Sequence, residues 1–297
     1  MIHPELIPKI KMVAPGTMLR RALDAIVTAQ FGALIVFIDD IKAQENILEG
    51  GFYIGANFSP EKLYELSKMD GAIIIDESVS RILAANVQLA PDLAIPTDET
   101  GMRHRAAERM ARQTGKFVLT ISRRRRVITL YYKAFKHQVN DINYLITRIN
   151  QTISTVERYK GHLDKKALQI DADEFLDQVQ LIQVTELLRD SISIINLLDE
   201  IAPYVIEIGG EGRIPAMRLN SVRTEVDQLL QLFIMDYCAS LHSDFETTQV
   251  VDYLKANASQ DMLKLAHLIG WESAGESDLH DINVKPRGYR LLAQVSK

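Results

Sequence analysis

Up to about residue 133, short apolar runs alternate with segments of helical spacing. Each run is rich in β-branched or aromatic residues and is followed by turn-forming residues, a pattern that is typical of strands. Because helical segments fit between these runs, the pattern favours an α/β domain. The predicted strands cover residues 33–38, 52–54, 72–76, 81–87, 117–122 and 127–132.

Three helices in this part of the chain carry start or stop signals. Thr17 is placed to cap a helix that ends before Gly32. Ser59-Pro60-Glu61 combines a cap, a first-turn proline and an acid beside the positive end of the helix dipole. A third helix is predicted from about residue 103 to 114, with Gly115 ending it.

Beyond residue 133 the apolar positions recur at threes, fours and heptad multiples, which indicates long amphipathic helices. Apolar stripes cover residues 142–163, 175–198 and 219–233. We expect breaks at Gly161, at residues 209–212 and at later polar turns, and therefore a helical bundle. The predicted domains are residues 1–135, an α/β domain, and residues 136–297, an all-α domain.

Composition narrows the class of protein. The chain has 297 residues, of which 47% are hydrophobic and 25% charged, and this excludes disordered, collagen-like and disulfide-stapled proteins. Its longest apolar run, residues 33–38, is far below the roughly 18 residues of a membrane span, and the first thirty residues lack a secretory signal. Cys238, the single cysteine, fits the cytoplasm and is expected to be buried as a small apolar residue.

The net charge of −5 is unevenly distributed. Residues 101–126 hold eight arginines and one lysine against one acid, Glu108, so this window carries +8 and the remainder −13. One arginine patch in an otherwise acidic protein is not typical of a general polyanion binder. It favours a local site for a highly charged small anion or for a short stretch of phosphate backbone.

The common phosphate, dinucleotide and zinc motifs are absent from the sequence. Asp70-Gly71-Ala72 instead places a carboxylate on a loop at the edge of a predicted strand, beside a glycine that permits close backbone approach. Taken alone, Asp-Gly is also a common turn dipeptide.

Gly101-Met102-Arg103-His104-Arg105 puts two arginines and a histidine in the first turn of a predicted helix. Cations there are unfavourable by several tenths of a kcal/mol each unless an anion is bound. Phosphate is the natural anion for free helix amides and guanidinium groups, and a solvated basic turn is the alternative.

A run of four arginines, residues 123–126, lies between two predicted strands and is expected to form a hairpin loop. If side chains alternate here as along a strand, Arg123 and Arg125 point to one side and Arg124 and Arg126 to the other, so that at most two of them reach one pocket. An exposed turn without a function explains the same residues.

Together, Asp70-Gly71-Ala72 and Gly101-Met102-Arg103-His104-Arg105 resemble the paired signature of the diadenylate cyclase domain. The flanking residues 63–69 and 107–109 and the segment 286–292 are similar to bacterial DNA integrity scanning proteins, so the resemblance covers essentially the whole chain. It implies a cyclase domain with a central mixed β-sheet flanked by helices, followed by an all-α helical bundle.

The resemblance also implies an activity, the condensation of two ATP molecules into cyclic di-AMP with release of two pyrophosphates, assisted by Mg²⁺ or Mn²⁺. In that family two domains meet face to face and each supplies half a site, so a homo-oligomer, at least a dimer and by resemblance an octamer, is expected. The catalytic residues would be Asp70, also the metal ligand, with Arg103, His104 and Arg105. The nucleotide contacts would be Gly71, Ala72, Leu89 at the adenine, Gly101, Met102, Arg103, His104, Arg105, Ala106, Ser122 and Arg125.

The chain departs from the family in two places. Met102 and Ala106 replace threonines of the usual second motif, which predicts altered affinity for phosphate rather than inactivity. Full-length family members continue past residues 286–289 into a helix-hairpin-helix DNA-binding domain, near where this sequence stops, so DNA is expected as a partner only if that domain is present. A non-catalytic nucleotide or nucleic-acid sensor using the same arginines, and a helical scaffold with a degenerate cyclase domain, remain alternatives.

Overall fold

The computed structural model describes residues 3–238, 261–271 and 274–290. It contains a mixed β-sheet with flanking helices, followed by a helical region, which confirms the predicted fold class. Two compact units can be distinguished. The first comprises Met1–Thr147 and Pro203–Arg213, and the second comprises Arg148–Ala202 and Ile214–Lys297.

The strands of the first unit are β1 Ala33–Phe37, β2 Leu48–Glu49, β3 Phe52–Asn57, β4 Ala72–Ile75, β5 Arg81–Leu89, β6 Phe117–Ser122, β7 Val127–Tyr132 and β8 Phe135–Gln138. All six predicted strands are present. The sheet has the order β2-β5-β4-β1-β6-β7-β8, with β3 also paired to β5. β1 and β4 are parallel, and every other neighbouring pair is antiparallel.

Two strands, β2 and β8, were not predicted. β2 has only two residues, too few for a periodic signal. β8 lies beyond residue 133, where the sequence pattern predicted that strands end, and its mixture of Lys136, His137 and Gln138 has no apolar run. The pairing with β7 therefore determines this strand rather than its own composition.

Helices cover both faces of the sheet. The helices of this unit are α1 Ile7–Met12, α2 Met18–Thr28, α3 Pro60–Leu66 and α4 Met102–Thr114. One apolar core joins α1, α2 and α3 to the side chains of Ile35, Phe37 and Leu119, and a second joins α4 to Leu34 and Val36. Alternate residues of β1 thus point into different cores, which explains why all five of its residues are buried.

The predicted helix signals are confirmed. Thr17 Oγ1 accepts a hydrogen bond of 3.1 Å from the amide of Arg20, and Ser59 Oγ accepts one of 3.2 Å from the amide of Lys62. α4 ends at Gly115, whose φ of +66° lies in the left-handed region that favours glycine.

The helical region differs from its prediction at Gly161. Helix α5, Ile142–Glu174, runs through this glycine without interruption, so the expected break there is wrong. A helical glycine costs roughly 0.5–1 kcal/mol relative to alanine but keeps its amide donor, and one such residue does not end a helix of 33 residues.

The break instead falls at residues 175–180, before α6, Leu181–Glu207. Phe175, predicted to lie on an apolar helical stripe, is 87% exposed in this connection, so the stripe begins later than predicted. The break at Gly209–Gly212 is confirmed as a short 3₁₀ turn. The remaining described helices are α7 Arg213–Tyr237, α8 Met262–Leu268 and α9 Asp278–Asp281.

Two further expectations concern burial and membranes. Cys238 is buried, as predicted. Within the described residues, none of the helices combines the length and the apolar character that crossing a bilayer requires.

Replacing the cap of α2 tests the local account of the fold. Thr17→Ala removes an acceptor for the Arg20 amide, and we expect the free energy of unfolding to fall by about 1 kcal/mol. Chemical denaturation measures this change. Thr147→Ala is the control, because Thr147 is an exposed position inside α5 and its side chain makes no hydrogen bond with a described residue. Equal stability of the two variants would contradict the assigned cap.

Candidate active site

Strand direction brings the predicted site residues to one edge of the sheet. The parallel strands β1 and β4 both begin at this edge, with Ile35 opposite Ile73. Their antiparallel neighbours β6 and β5 both end there. Asp70 and Gly71 before β4, Leu89 at the end of β5 and Ser122 at the end of β6 therefore share this edge, which we call the site edge.

Gly71 is required where the chain enters β4. Its φ is +84°, and a Cβ atom at this position would lie 2.8 Å from the carbonyl carbon of Asn86 and 3.0 Å from the amide nitrogen of Val87. The next residue, Ala72, is fully buried and pairs with Val87. The close approach of the two backbones thus fixes the chain directly after Asp70.

The Asp70 side chain is exposed and makes no hydrogen bond or ion pair with any described residue. It is not part of a ready-made metal centre, since no three histidine, cysteine or acidic side chains group around a metal position within the described residues. A single carboxylate of this kind fits Mg²⁺ or Mn²⁺ only if other ligands, such as phosphate oxygens, complete the coordination.

The first turn of α4 has no side-chain cap. Gly101 occupies the N-cap position with extended backbone, and the helical hydrogen bonds begin with the amide of Arg105, which donates to the Gly101 carbonyl at 2.9 Å. The amides of Met102, Arg103 and His104 therefore have no partner within the helix. Free amides and the helix dipole together create a positive potential that suits an anion.

Arg103 lies against Gly32, the residue before β1. A Cβ atom on Gly32 would come within 2.2 Å of Arg103 Nη1, so any larger residue here would displace this guanidinium. The same atom would lie 3.2 Å from the carbonyl oxygen of Ile121 in β6, which places Arg103 at the site edge. Sequence reasoning used Gly32 only as a helix stop; a glycine directly before a buried strand was the available signal.

Only some of the arginines in residues 101–126 are available for a ligand. Arg109 donates to the carbonyl of Ile95 at 2.8 Å and so connects α4 to the preceding loop. Arg112 donates to Glu108 at 2.7 Å within α4. The side chains of Arg103 and Arg105 make no hydrogen bond or ion pair with a described residue. Within α4, the unpaired positive charge is thus concentrated in the first turn.

The β6–β7 turn carries the four arginines 123–126, all exposed. The amides of Arg125 and Arg126 donate to Ser122, to its hydroxyl at 3.2 Å and to its carbonyl at 2.8 Å. The predicted alternation of these side chains is wrong, because the four residues form a turn, with Arg126 at a φ of +55°, and not an extended strand.

His104 is held by residues that sequence reasoning missed. Its Nδ1 lies 2.9 Å from Thr120 Oγ1 and 3.0 Å from Tyr131 Oη. Tyr131 in turn donates to Glu99 Oε1 at 2.8 Å, and Glu99 forms an ion pair with Lys136. No local motif marks these partners, because strand register brings them together.

Burial lowers the pKa of His104, and the positive charges of Lys136, Arg103 and Arg125 lower it further, whereas the negative charge of Glu99 raises it. Burial and the hydrogen bond to Glu99 raise the pKa of Tyr131. At neutral pH the free site therefore holds a neutral imidazole and a neutral phenol.

The remaining predicted contact residues differ in their exposure. Met102 is 82% exposed, Gly101 and Arg105 are exposed, and Leu89 and Ala106 are half-buried. The structure thus places the predicted residues at three strand ends, in the β6–β7 turn and at one helix tip of the same unit.

Among solved structures, a double mutant of DacA from Staphylococcus aureus aligns with 46% of this chain and 87% of that chain, with a TM-score of 0.34 and 26% sequence identity.

Two family models cover most of the sequence. The one described as DisA bacterial checkpoint controller nucleotide-binding matches residues 20–135, and the one described as DisA bacterial checkpoint controller linker region matches residues 139–277. The DNA integrity scanning protein DisA of Thermotoga petrophila is 45% identical over 100% of this chain and 84% of that protein. The DisA of Bacillus cereus strain B4264 is 39% identical over 97% and 80%, respectively. The chain therefore belongs to the DisA family of DNA integrity scanning proteins and contains its nucleotide-binding domain.

Proposed function

We propose that the chain is a diadenylate cyclase, which condenses two ATP molecules into cyclic di-AMP and releases two pyrophosphates. One observation carries the proposal. An unpaired carboxylate, Asp70, and the unpaired guanidiniums of Arg103 and Arg105 belong to the same edge of one sheet, at an uncapped helix N-terminus. Membership of the DisA family and the match to its nucleotide-binding model support the same conclusion.

The site is complete only when two copies meet. One chain offers one such carboxylate and one arginine cluster, whereas the reaction forms two equivalent bonds between two nucleotides. A two-fold axis supplies both halves with the same residues. The apolar side chain of Met102, exposed at the tip of α4, supports a contact with a second copy at this edge.

Each half of the reaction is a phosphoryl transfer. The 3'-oxygen of one ATP attacks the α-phosphorus of the other, and the bond from that phosphorus to the bridging oxygen of the β-phosphate breaks as pyrophosphate leaves. Asp70 orients the 3'-hydroxyl and accepts its proton. Positioning and neutralisation of charge supply most of the catalysis in such a step.

The arginines neutralise negative charge on the substrates. Two ATP molecules bring about eight negative charges together, which requires dense positive charge in a partly dehydrated site. Arg103, Arg105 and the free amides of the first turn of α4 hold the phosphates from one side. Ser122 and Arg125 reach the triphosphate from the β6–β7 turn.

A divalent cation completes this arrangement. Asp70 would hold Mg²⁺ or Mn²⁺ and the substrate would supply further ligands, since the described residues contain no group of three or more histidine, cysteine or acidic side chains that could hold a metal ion. When bound, the cation neutralises charge on the phosphates. Gly71 and Ala72 bring backbone against the nucleotide, and Leu89 contacts the adenine.

The carboxylate of Asp70 can be tested by an isosteric change. Asp70→Asn should lower the rate of cyclic di-AMP formation from ATP and Mn²⁺ by about 10²- to 10⁴-fold, because the amide neither accepts the proton nor holds the cation well. Product analysis by mass spectrometry measures the rate. Asp164→Asn, an exposed position on α5, is the control and should match the unmodified chain. Full activity of Asp70→Asn would refute the assigned role.

Gly32→Ala tests the position of Arg103. The added methyl group overlaps Arg103 Nη1 and displaces the guanidinium, so the KM for ATP should rise about tenfold through the loss of a charged hydrogen bond. The displaced atom ends a flexible side chain, so the fold should persist in circular dichroism. Gly161→Ala, whose Cβ meets no atom within 4 Å, is the control. An unchanged KM for Gly32→Ala would contradict the contact.

Dilution tests the shared site. Specific activity should fall once the chain dissociates to monomers, because each monomer holds only half of the residues. Activity assays and light scattering over the same concentration series make the comparison. Constant specific activity in a preparation that is demonstrably monomeric would rule out a site built by two copies.

A further inference from the structure

The His104 ring is held on one side only. Its Nδ1 contacts Thr120 and Tyr131, whereas its Nε2 makes no hydrogen bond with any described residue. The ring carbon next to Nε2 is Cδ2, and a Cβ atom on Gly101 would lie 3.4 Å from it. The unengaged edge of the ring is therefore on the side of Gly101, where α4 presents its free amides.

The hydrogen bonds fix which nitrogen carries the proton. Tyr131 has a single hydroxyl proton and donates it to Glu99, because a carboxylate can only accept. The oxygen of Tyr131 can then only accept a hydrogen bond from His104, and this contact favours the proton on Nδ1. The Thr120 hydroxyl, which can donate or accept, accepts from the same proton. A neutral imidazole has one ring proton, and Nε2 is consequently left as a lone pair.

An Nε2 atom that carries a lone pair cannot donate a hydrogen bond to a phosphate oxygen, which also only accepts. We propose that Glu99 and Tyr131 are positioning residues that keep the proton of neutral His104 on Nδ1, so that Nε2 donates to a phosphate oxygen only after the ring gains a second proton. The phosphate in this inference rests on the function proposed above. ATP binding is then coupled to the uptake of one proton by His104.

The surrounding charges determine the direction of the pH dependence. Burial and the nearby cations lower the pKa of free His104, and a bound triphosphate raises it. Binding of ATP and of the proton favour each other, so affinity for ATP falls as pH rises from the pKa of the free site through that of the occupied site. The groups that face the ring are Glu99 before α4, Arg103 on α4, Thr120 on β6, Arg125 in the β6–β7 turn, Tyr131 on β7 and Lys136 on β8.

Nitrogen NMR of the full chain labelled with ¹⁵N-histidine reads the tautomer directly. His104→Gln assigns the signals, and 3'-deoxy-ATP, which lacks the attacking hydroxyl, is the probe. Without the probe, Nδ1 should resonate as protonated and Nε2 as unprotonated; with it, both should be protonated. A free ring protonated on Nε2 alone, or an Nε2 that stays unprotonated in the complex, would overturn the inference.

Two variants separate positioning from mere packing. Tyr131→Phe and Glu99→Leu both permit the tautomer protonated on Nε2, which donates to phosphate without a second proton. The pH dependence of the KM for ATP should therefore flatten. At high pH the neutral ring of the variants donates from Nε2, so their KM there should be about fivefold lower than that of the unmodified chain. At low pH the ring carries both protons in every chain, and the KM should change little. Unaltered pH profiles in both variants would overturn the inference.

Tyr132→Phe is the matched control. It makes the same change one residue along β7, on the opposite face of the sheet, and its hydroxyl makes no hydrogen bond with a described residue. Its KM and pH profile should equal those of the unmodified chain. The outcomes also separate the two proposals. If the chain binds 3'-deoxy-ATP and shows the predicted tautomer but forms no cyclic di-AMP from ATP, the proposed cyclase activity is refuted. The positioning role of Glu99 and Tyr131 then still holds.

Discussion

The parallel pairing of β1 with β4, between two antiparallel neighbours, is the constraint on which the candidate site depends. Parallel strands begin at the same edge of a sheet, and antiparallel neighbours end where they begin. Asp70, Leu89 and Ser122 therefore arrive at one edge although they are far apart in sequence. Two glycines, Gly71 and Gly32, then allow backbone and guanidinium to approach the strands closely at this edge.

Helix α4 divides its positive charges between folding and binding. Arg109 and Arg112, in its later turns, are engaged by loop carbonyls and by Glu108, and they hold the segment before the helix. Its first turn has no cap, and Arg103 and Arg105 add charge there without a partner among the described residues. This turn is electrostatically unfavourable in the free chain and becomes favourable when an anion binds. The same helix thus stabilises the fold at one end and presents unpaired positive charge at the other.

Local signals in the sequence predicted much of this domain, and contacts between distant residues account for what was missed. Thr17, Ser59 and Gly115 act on their own helices, so their roles follow from neighbouring residues alone. The contact of Gly32 with Arg103, and the hydrogen bonds of His104 with Thr120 and Tyr131, depend on strand register and on the packing of α4. The predicted break at Gly161 failed for a different reason, since the surrounding helix is long enough to continue through one unfavourable residue.

A crystal structure of the chain with 3'-deoxy-ATP and Mn²⁺ is the most direct test of the central claim. The account predicts two nucleotides between two copies related by a two-fold axis. Each sugar 3'-carbon should lie beside the α-phosphorus of the other nucleotide, with Asp70 near that carbon and Arg103 on a triphosphate. A nucleotide bound to one isolated copy, or bound away from the edge where β1 and β4 begin, would contradict the account.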